Sequence, residues 1–146
     1  MSIEDDVALL ERVPTLHLLG TTALRMLAIG SEQRDYARGE VLFNAGDEAD
    51  AGFVVRRGAF RVEDGGAEIV AGPGALIGEL ALIVAMRRPS SATAIEPAAA
   101  IRLARSLFQR VLESDPAAAR RLRDELATRT SQLASDILMA GAKLSI

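Results

Sequence analysis

Gly78-Glu79-Leu80-Ala81-Leu82, followed after a short loop by Arg88-Pro89-Ser90-Ser91-Ala92-Thr93-Ala94, decides how this chain is read. Glycine at 78 lets the backbone turn, and Glu79 puts a carboxylate at the start of a helical turn. A short helix beginning there aims free backbone N–H groups and a positive dipole end at one point, which favours phosphate. A carboxylate beside a phosphate makes sense if it accepts from a hydroxyl. Arg88 can bridge two anionic oxygens with its planar fork and offset the charge of Glu79. These residue types together predict a place for one sugar hydroxyl and one phosphate. Leu80 and Leu82 are expected to anchor the turn in the core, while small Ala81 lets a ligand approach. The competing readings are an ordinary turn with an acid at its start, a solvated Arg88 on the surface, and an internal Glu79–Arg88 ion pair.

Around this stretch the chain is punctuated by glycine. Arg34 to Phe43, Gly52 to Val55, Phe60 to Glu63 and Glu68 to Val70 read as short strands. Arg38-Gly39, Ala45-Gly46-Asp47, Arg57-Gly58, Gly65-Gly66 and Gly72-Pro73-Gly74 mark turns, and Ser91 to Ile95 and Ala99 to Leu103 add strands on either side of Pro97. Such spacing predicts an antiparallel sandwich or barrel. Upstream, Ile3, Val7, Leu10 and Val13 have helical spacing up to Pro14, and Thr21 or Thr22 is placed to cap a second helix closed by Gly30. Downstream, Ser106 is placed to cap a helix through Phe108, Val111 and Leu112. Asp115-Pro116 opens another, with an apolar stripe of Leu122, Leu126, Leu133, Ile137 and Leu144, expected to run to about Ala140. The first half of that stripe is expected to cover the domain itself.

The fold class is therefore α+β: an eight-stranded antiparallel β-roll (a double-stranded β-helix or jelly roll) flanked by N-terminal helices and two C-terminal helices. Residues 1–146 are expected as one domain, with a helical N-terminus over 1–30, the roll over 31–104 and the C-terminal helices over 105–144. With 49% hydrophobic and 25% charged residues the composition is globular. No apolar run approaches a membrane span, no secretory signal opens the chain, and cysteine is absent, so a cytoplasmic address without membrane contact is expected. A net charge of −3 gives no broad reason to bind nucleic acid. Catalysis and metal binding are not expected: His17 is the single histidine and precedes the first strand.

Order and spacing together resemble the cyclic nucleotide-binding domain family, the cAMP and cGMP sensor modules. Ala37-Arg38-Gly39-Glu40-Val41-Leu42-Phe43, Ala45-Gly46-Asp47-Glu48-Ala49-Asp50 and Phe53-Val54-Val55-Arg56-Arg57-Gly58 look like the first half of such a domain. Gly78 to Leu82 with Arg88 resembles its phosphate-binding cassette, and Arg105-Ser106-Leu107-Phe108 with Asp115-Pro116 its B helix and the break before its C helix. The resemblance spans roughly residues 8–140. It implies that Glu79 binds the ribose 2′-OH and Arg88 the cyclic phosphate, with Gly78, Leu80, Ala81, Pro89, Ser90 and Ser91 around the ligand.

Pro89 departs from the family, which usually has alanine, serine or threonine after the arginine. The backbone N–H there helps hold the phosphate, and a threonine favours guanine. Proline has no N–H, and losing one donor to a charged oxygen costs about 1.5–3 kcal/mol, roughly ten- to hundredfold in affinity. Ser90 and Ser91 hydroxyls could compensate in part. Ala85-Met86-Arg87 also departs, being bulkier and more basic than the family's usual loop.

The implied function is a stand-alone signal-sensing domain for a cyclic purine nucleotide, cAMP ahead of cGMP, with no other cofactor and with the helix from Pro116 closing over the base. A different anion or a cyclic dinucleotide stays open. Only Leu144-Ser145-Ile146 follow Lys143, so output is expected through an unidentified effector protein or a homodimer on the C-terminal helix. The alternative is a degenerate nucleotide-binding fold that binds no nucleotide and serves as a dimerisation or protein-interaction module.

Overall fold

Ser2 caps the first helix, its hydroxyl accepting from the Asp5 N–H at 3.2 Å, and Glu4, Asp5 and Asp6 complement the dipole of α1 (Ile3–Glu11). The computed structural model describes residues 2–64 and 66–129. Pro14 does more than interrupt α1. It opens a short second helix, α2 (Pro14–His17), at a position where its missing N–H has no consequence. The third helix, α3 (Gly20–Gly30), starts before Thr21 and Thr22 and has no side-chain cap, so those two threonines do not cap it. Gly30 does close α3, and packing explains the residue: a Cβ there would lie 2.6 Å from Cδ1 of Leu107.

Ten short strands follow among the described residues rather than eight: β1 (Glu32–Tyr36), β2 (Val41–Phe43), β3 (Glu48–Ala49), β4 (Ala51–Arg57), β5 (Phe60–Asp64), β6 (Ala67–Ala71), β7 (Leu76–Ile77), β8 (Met86–Arg87), β9 (Ala92–Ala94) and β10 (Ala98–Ala104). The run Arg34 to Phe43, read as β-type with a turn at Arg38-Gly39, is two strands. A turn closed by Glu40 N–H to Ala37 O (3.0 Å) carries the chain from one sheet to the other. The sheets have strand orders β1-β10-β4-β7 and β2-β9-β5-β6, with β3 and β8 as a separate pair. All pairings are antiparallel.

Period-two alternation on β4 and β10 divides the core in two. Val54, Ile101 and Leu103 face a helical cluster with Leu10, Leu16, Leu24, Leu27 and Phe108. Phe53, Val55, Ala98 and Ala100 face the interior of the roll, with Phe43, Phe60, Ala71, Ala92 and Ala94. Many of those interior residues are alanines, which leaves room inside. A further tie is the buried ion pair of Asp6 on α1 with Arg56 on β4.

The last strand leads into α4 (Arg105–Ser114), whose N-cap is Ala104 without a side-chain bond; Ser106 lies inside the first turn and caps nothing. Asp115 does cap the next helix, which covers 116–129 within the described residues, its Oδ1 accepting from the Ala118 N–H at 3.1 Å. Leu122 is buried in the helical cluster and Leu126 packs against it, so this half of the stripe covers its own domain. Leu133, Ile137 and Leu144 lie outside the described residues. Among those described, no helix is long and apolar enough to cross a membrane.

Candidate ligand site

Glycine at 78 adopts φ +79° and ψ +38°, a left-handed conformation, and a single 3-10 turn, Glu79–Leu82, follows it. Such a turn leaves its first two amides, those of Glu79 and Leu80, without internal acceptors. The Ala81 amide is engaged within the turn, donating to Gly78 O at 3.1 Å. Leu82 is buried against the helical cluster and fixes the turn. Leu80 does not anchor it, being 56% exposed. At three residues per turn, positions two apart point about 120° apart, so both leucines cannot face one core.

Arg88 reaches the site by a different construction. The backbone before it is held by β8 pairing with β3, Glu48 opposite Arg87 and Ala49 opposite Met86. The Asn44–Asp47 turn then clamps the next residues: Arg88 N–H donates to Asp47 O (2.7 Å), Gly46 N–H to Arg88 O (2.8 Å), and Ala45 N–H to Ser91 Oγ (2.8 Å). The Gly-Asp turn seen in the sequence thus braces the segment carrying the arginine.

The Arg88 side chain is only 6% exposed. One terminal nitrogen donates to Ala51 O at 2.7 Å, while the buried Nε has no partner among the described residues. The guanidinium carbon stands 4.2 Å from the ring centre of Phe43 and 5.7 Å from that of Phe53. Burial holds its pKa below the ordinary guanidinium value, with Asp50 and Asp47 opposing the shift and Arg102 adding to it. The group stays cationic and sits where an unneutralised charge is costly. A Cβ on Gly78 would fall 2.6 Å from Arg88 Nη1, so glycine is needed there for space as well as for its backbone angle.

These pieces wall a cavity of about 230 Å³. Gly78, Glu79, Leu80, Ala81, Arg88, Pro89 and Ser90 all line it, so seven of the eight residues anticipated for the ligand come together. Ser91 does not line it; its hydroxyl is held by Ala45. Phe43, Val62, Ile77 and Met86 complete the wall. Of these, Phe43 was visible in the sequence as the end of the strand before the Gly-Asp turn.

Glu79 does not pair with Arg88. Its Oε1 accepts from Thr15 Oγ1 at 2.6 Å and lies 3.3 Å from Nη1 of Arg129 on the C-terminal helix. Sequence reading missed both partners. They lie 64 and 50 residues away in the chain, and no local pattern marks them. Among the described residues no cluster of three or more His, Cys, Asp or Glu side chains is placed to hold a metal.

A family model described as the cyclic nucleotide-binding domain matches residues 33–115. The fold is similar to the N-terminal domain of a transcriptional regulator from Streptomyces coelicolor A3(2), with a TM-score of 0.80 at 28% identity over 88% of this chain and 94% of that one. A cyclic nucleotide-binding-like protein from Brucella abortus is similar at 34% identity, with a TM-score of 0.67 over 75% of this chain and 98% of that one. The catabolite activator protein of Thermus thermophilus is similar at 27% identity, with a TM-score of 0.68 over 88% of this chain and 63% of that one. No curated protein matches the sequence.

Proposed function

Because this chain belongs to the cyclic nucleotide-binding domain family, we propose that its cavity binds a cyclic purine nucleotide as the input of a non-catalytic, cytoplasmic signal-sensing module. The observation that carries this reading is Arg88: a buried cation, its Nε unpartnered among the described residues, in the wall of a mainly apolar cavity. A phosphate oxygen there supplies both the missing acceptor and the missing charge. The amides of Glu79 and Leu80 add donors from the neighbouring turn, and Glu79 takes the ribose 2′-OH. Leu80, exposed at the rim, meets the base. The ligand is cAMP ahead of cGMP, because Pro89 brings no hydroxyl to guanine.

A second reading is supported by the junction of Glu79 with Thr15 and Arg129. One oxygen of that carboxylate is already engaged by the protein, and Pro89 offers no amide, so the fold would serve as an association module without nucleotide. Calorimetric titration of the wild type and Arg88→Ala with cAMP and cGMP separates the two. Saturable binding lost in the variant is the expected result. No binding of either nucleotide up to millimolar concentration overturns the sensor reading.

A further inference from the structure

Thr15 lies on α2, outside the 33–115 segment that matches the family, yet its side chain reaches the ligand site. It is 4% exposed, and its hydroxyl donates to Glu79 Oε1 at 2.6 Å. Arg129 closes the triangle, its Nη2 standing 3.4 Å from Thr15 Oγ1 while Nη1 addresses the same Glu79 oxygen. The platform under Thr15 is firm: His17 N–H donates to Val13 O, and Arg121 donates to Leu18 O and Leu19 O. Among the described residues the polar contacts of Glu79 fall on Oε1, and the residue lines the cavity.

We propose that Thr15 is a positioning residue for the ligand: by holding Oε1 of Glu79 it leaves Oε2 to accept from a ligand hydroxyl, and so sets the preference for a ribose over a deoxyribose. The inference rests on the cyclic nucleotide reading and adds the N-terminal helices to the site. A half-exposed glutamate otherwise samples several rotamers, and a hydroxyl anchored to a packed helix removes that freedom. A carboxylate held by one oxygen retains lone pairs on the other, so holding and ligand binding are compatible.

The test compares cAMP with 2′-deoxy-cAMP on the wild type, Thr15→Val and Thr15→Ser. The wild type is expected to prefer cAMP by about tenfold or more, the scale of one hydrogen bond to a charged group. Thr15→Val keeps the shape and removes the hydroxyl, and should reduce that preference to roughly threefold or less. Thr15→Ser should restore it. A purely structural role weakens both nucleotides equally and leaves the ratio intact, which overturns the proposal. Thermal unfolding of ligand-free Thr15→Val, Glu79→Gln and the double variant gives a second reading. A non-zero coupling between the two sites is expected, and a zero coupling overturns the inference alone. If the wild type binds neither nucleotide, the sensor reading falls and takes the ligand-selecting role of Thr15 with it, whatever the coupling.

Discussion

Replacing Gly78 by alanine should cost more stability than replacing the open left-handed glycine Gly39, and the excess measures how tightly Arg88 is held. Gly78 and Gly39 have similar left-handed φ angles, +79° and +87°. An L-residue in that region costs about 1–2 kcal/mol at either position. A Cβ at Gly39 meets nothing within 4 Å, whereas one at Gly78 falls 2.6 Å from Arg88 Nη1. The guanidinium must then retreat by most of an ångström, yet it is bonded to Ala51 O at 2.7 Å and packed on Phe43. Forcing a packed group out of place costs about 1–3 kcal/mol. Urea unfolding should therefore show Gly39→Ala losing about 1–2 kcal/mol and Gly78→Ala about 2–5 kcal/mol. In an Arg88→Ala background the excess should vanish, because no side chain remains to be displaced. Equal losses at the two glycines, or an excess that survives in Arg88→Ala, would refute the reasoning.

Further outcomes follow from the same geometry. Pro89→Ala restores a backbone N–H at the cavity wall and should tighten cAMP binding about tenfold in calorimetry; unchanged affinity would show that this amide does not reach the phosphate. Arg105→Ala removes a guanidinium whose Nη1 is placed to donate to Ala49 O, Ala81 O and Val84 O at 2.8, 3.3 and 3.1 Å. It should lower unfolding free energy by about 2 kcal/mol and speed hydrogen exchange in the 3-10 turn. Tyr36→Phe removes a buried hydroxyl that Arg34 addresses only weakly, and should change stability by less than about 1 kcal/mol at neutral pH. Burial also raises the Tyr36 pKa above 10.0, with nearby Arg34 opposing. The unfolded chain then releases its proton first as pH rises, so the wild type should lose stability above about pH 10, and Tyr36→Phe should lose less in alkaline unfolding scans.

The order of elements was legible because glycine and proline punctuate the strands and apolar spacing marks the helices. The cassette was legible because glycine, carboxylate and arginine, each common in ordinary turns, stood in order with the strand and turn pattern upstream. What escaped depends on groups far apart in the chain or on local geometry with several solutions. Thr15 and Arg129 approach Glu79 only after the N-terminal and C-terminal helices dock, and neither carries a local signature. Leu80 and Leu82 look alike in sequence, but the 3-10 period turns one outward. Thr21, Thr22 and Ser106 are good capping types, yet packing started each helix earlier and placed them inside the first turn. Gly39 was visible as a turn, while the division of its flanking run between two sheets required the closed roll.

The first measurement to make is the nitrogen–proton correlation of the Arg88 Nε–Hε group, assigned against Arg88→Lys, during titration with cAMP. That buried group has no acceptor among the described residues. If it takes the phosphate, its resonance should move steadily downfield and saturate at the affinity found by calorimetry. A protein saturated with cAMP while the Arg88 resonance stays in place would show that the nucleotide binds elsewhere, and the assignment of this cavity would be wrong.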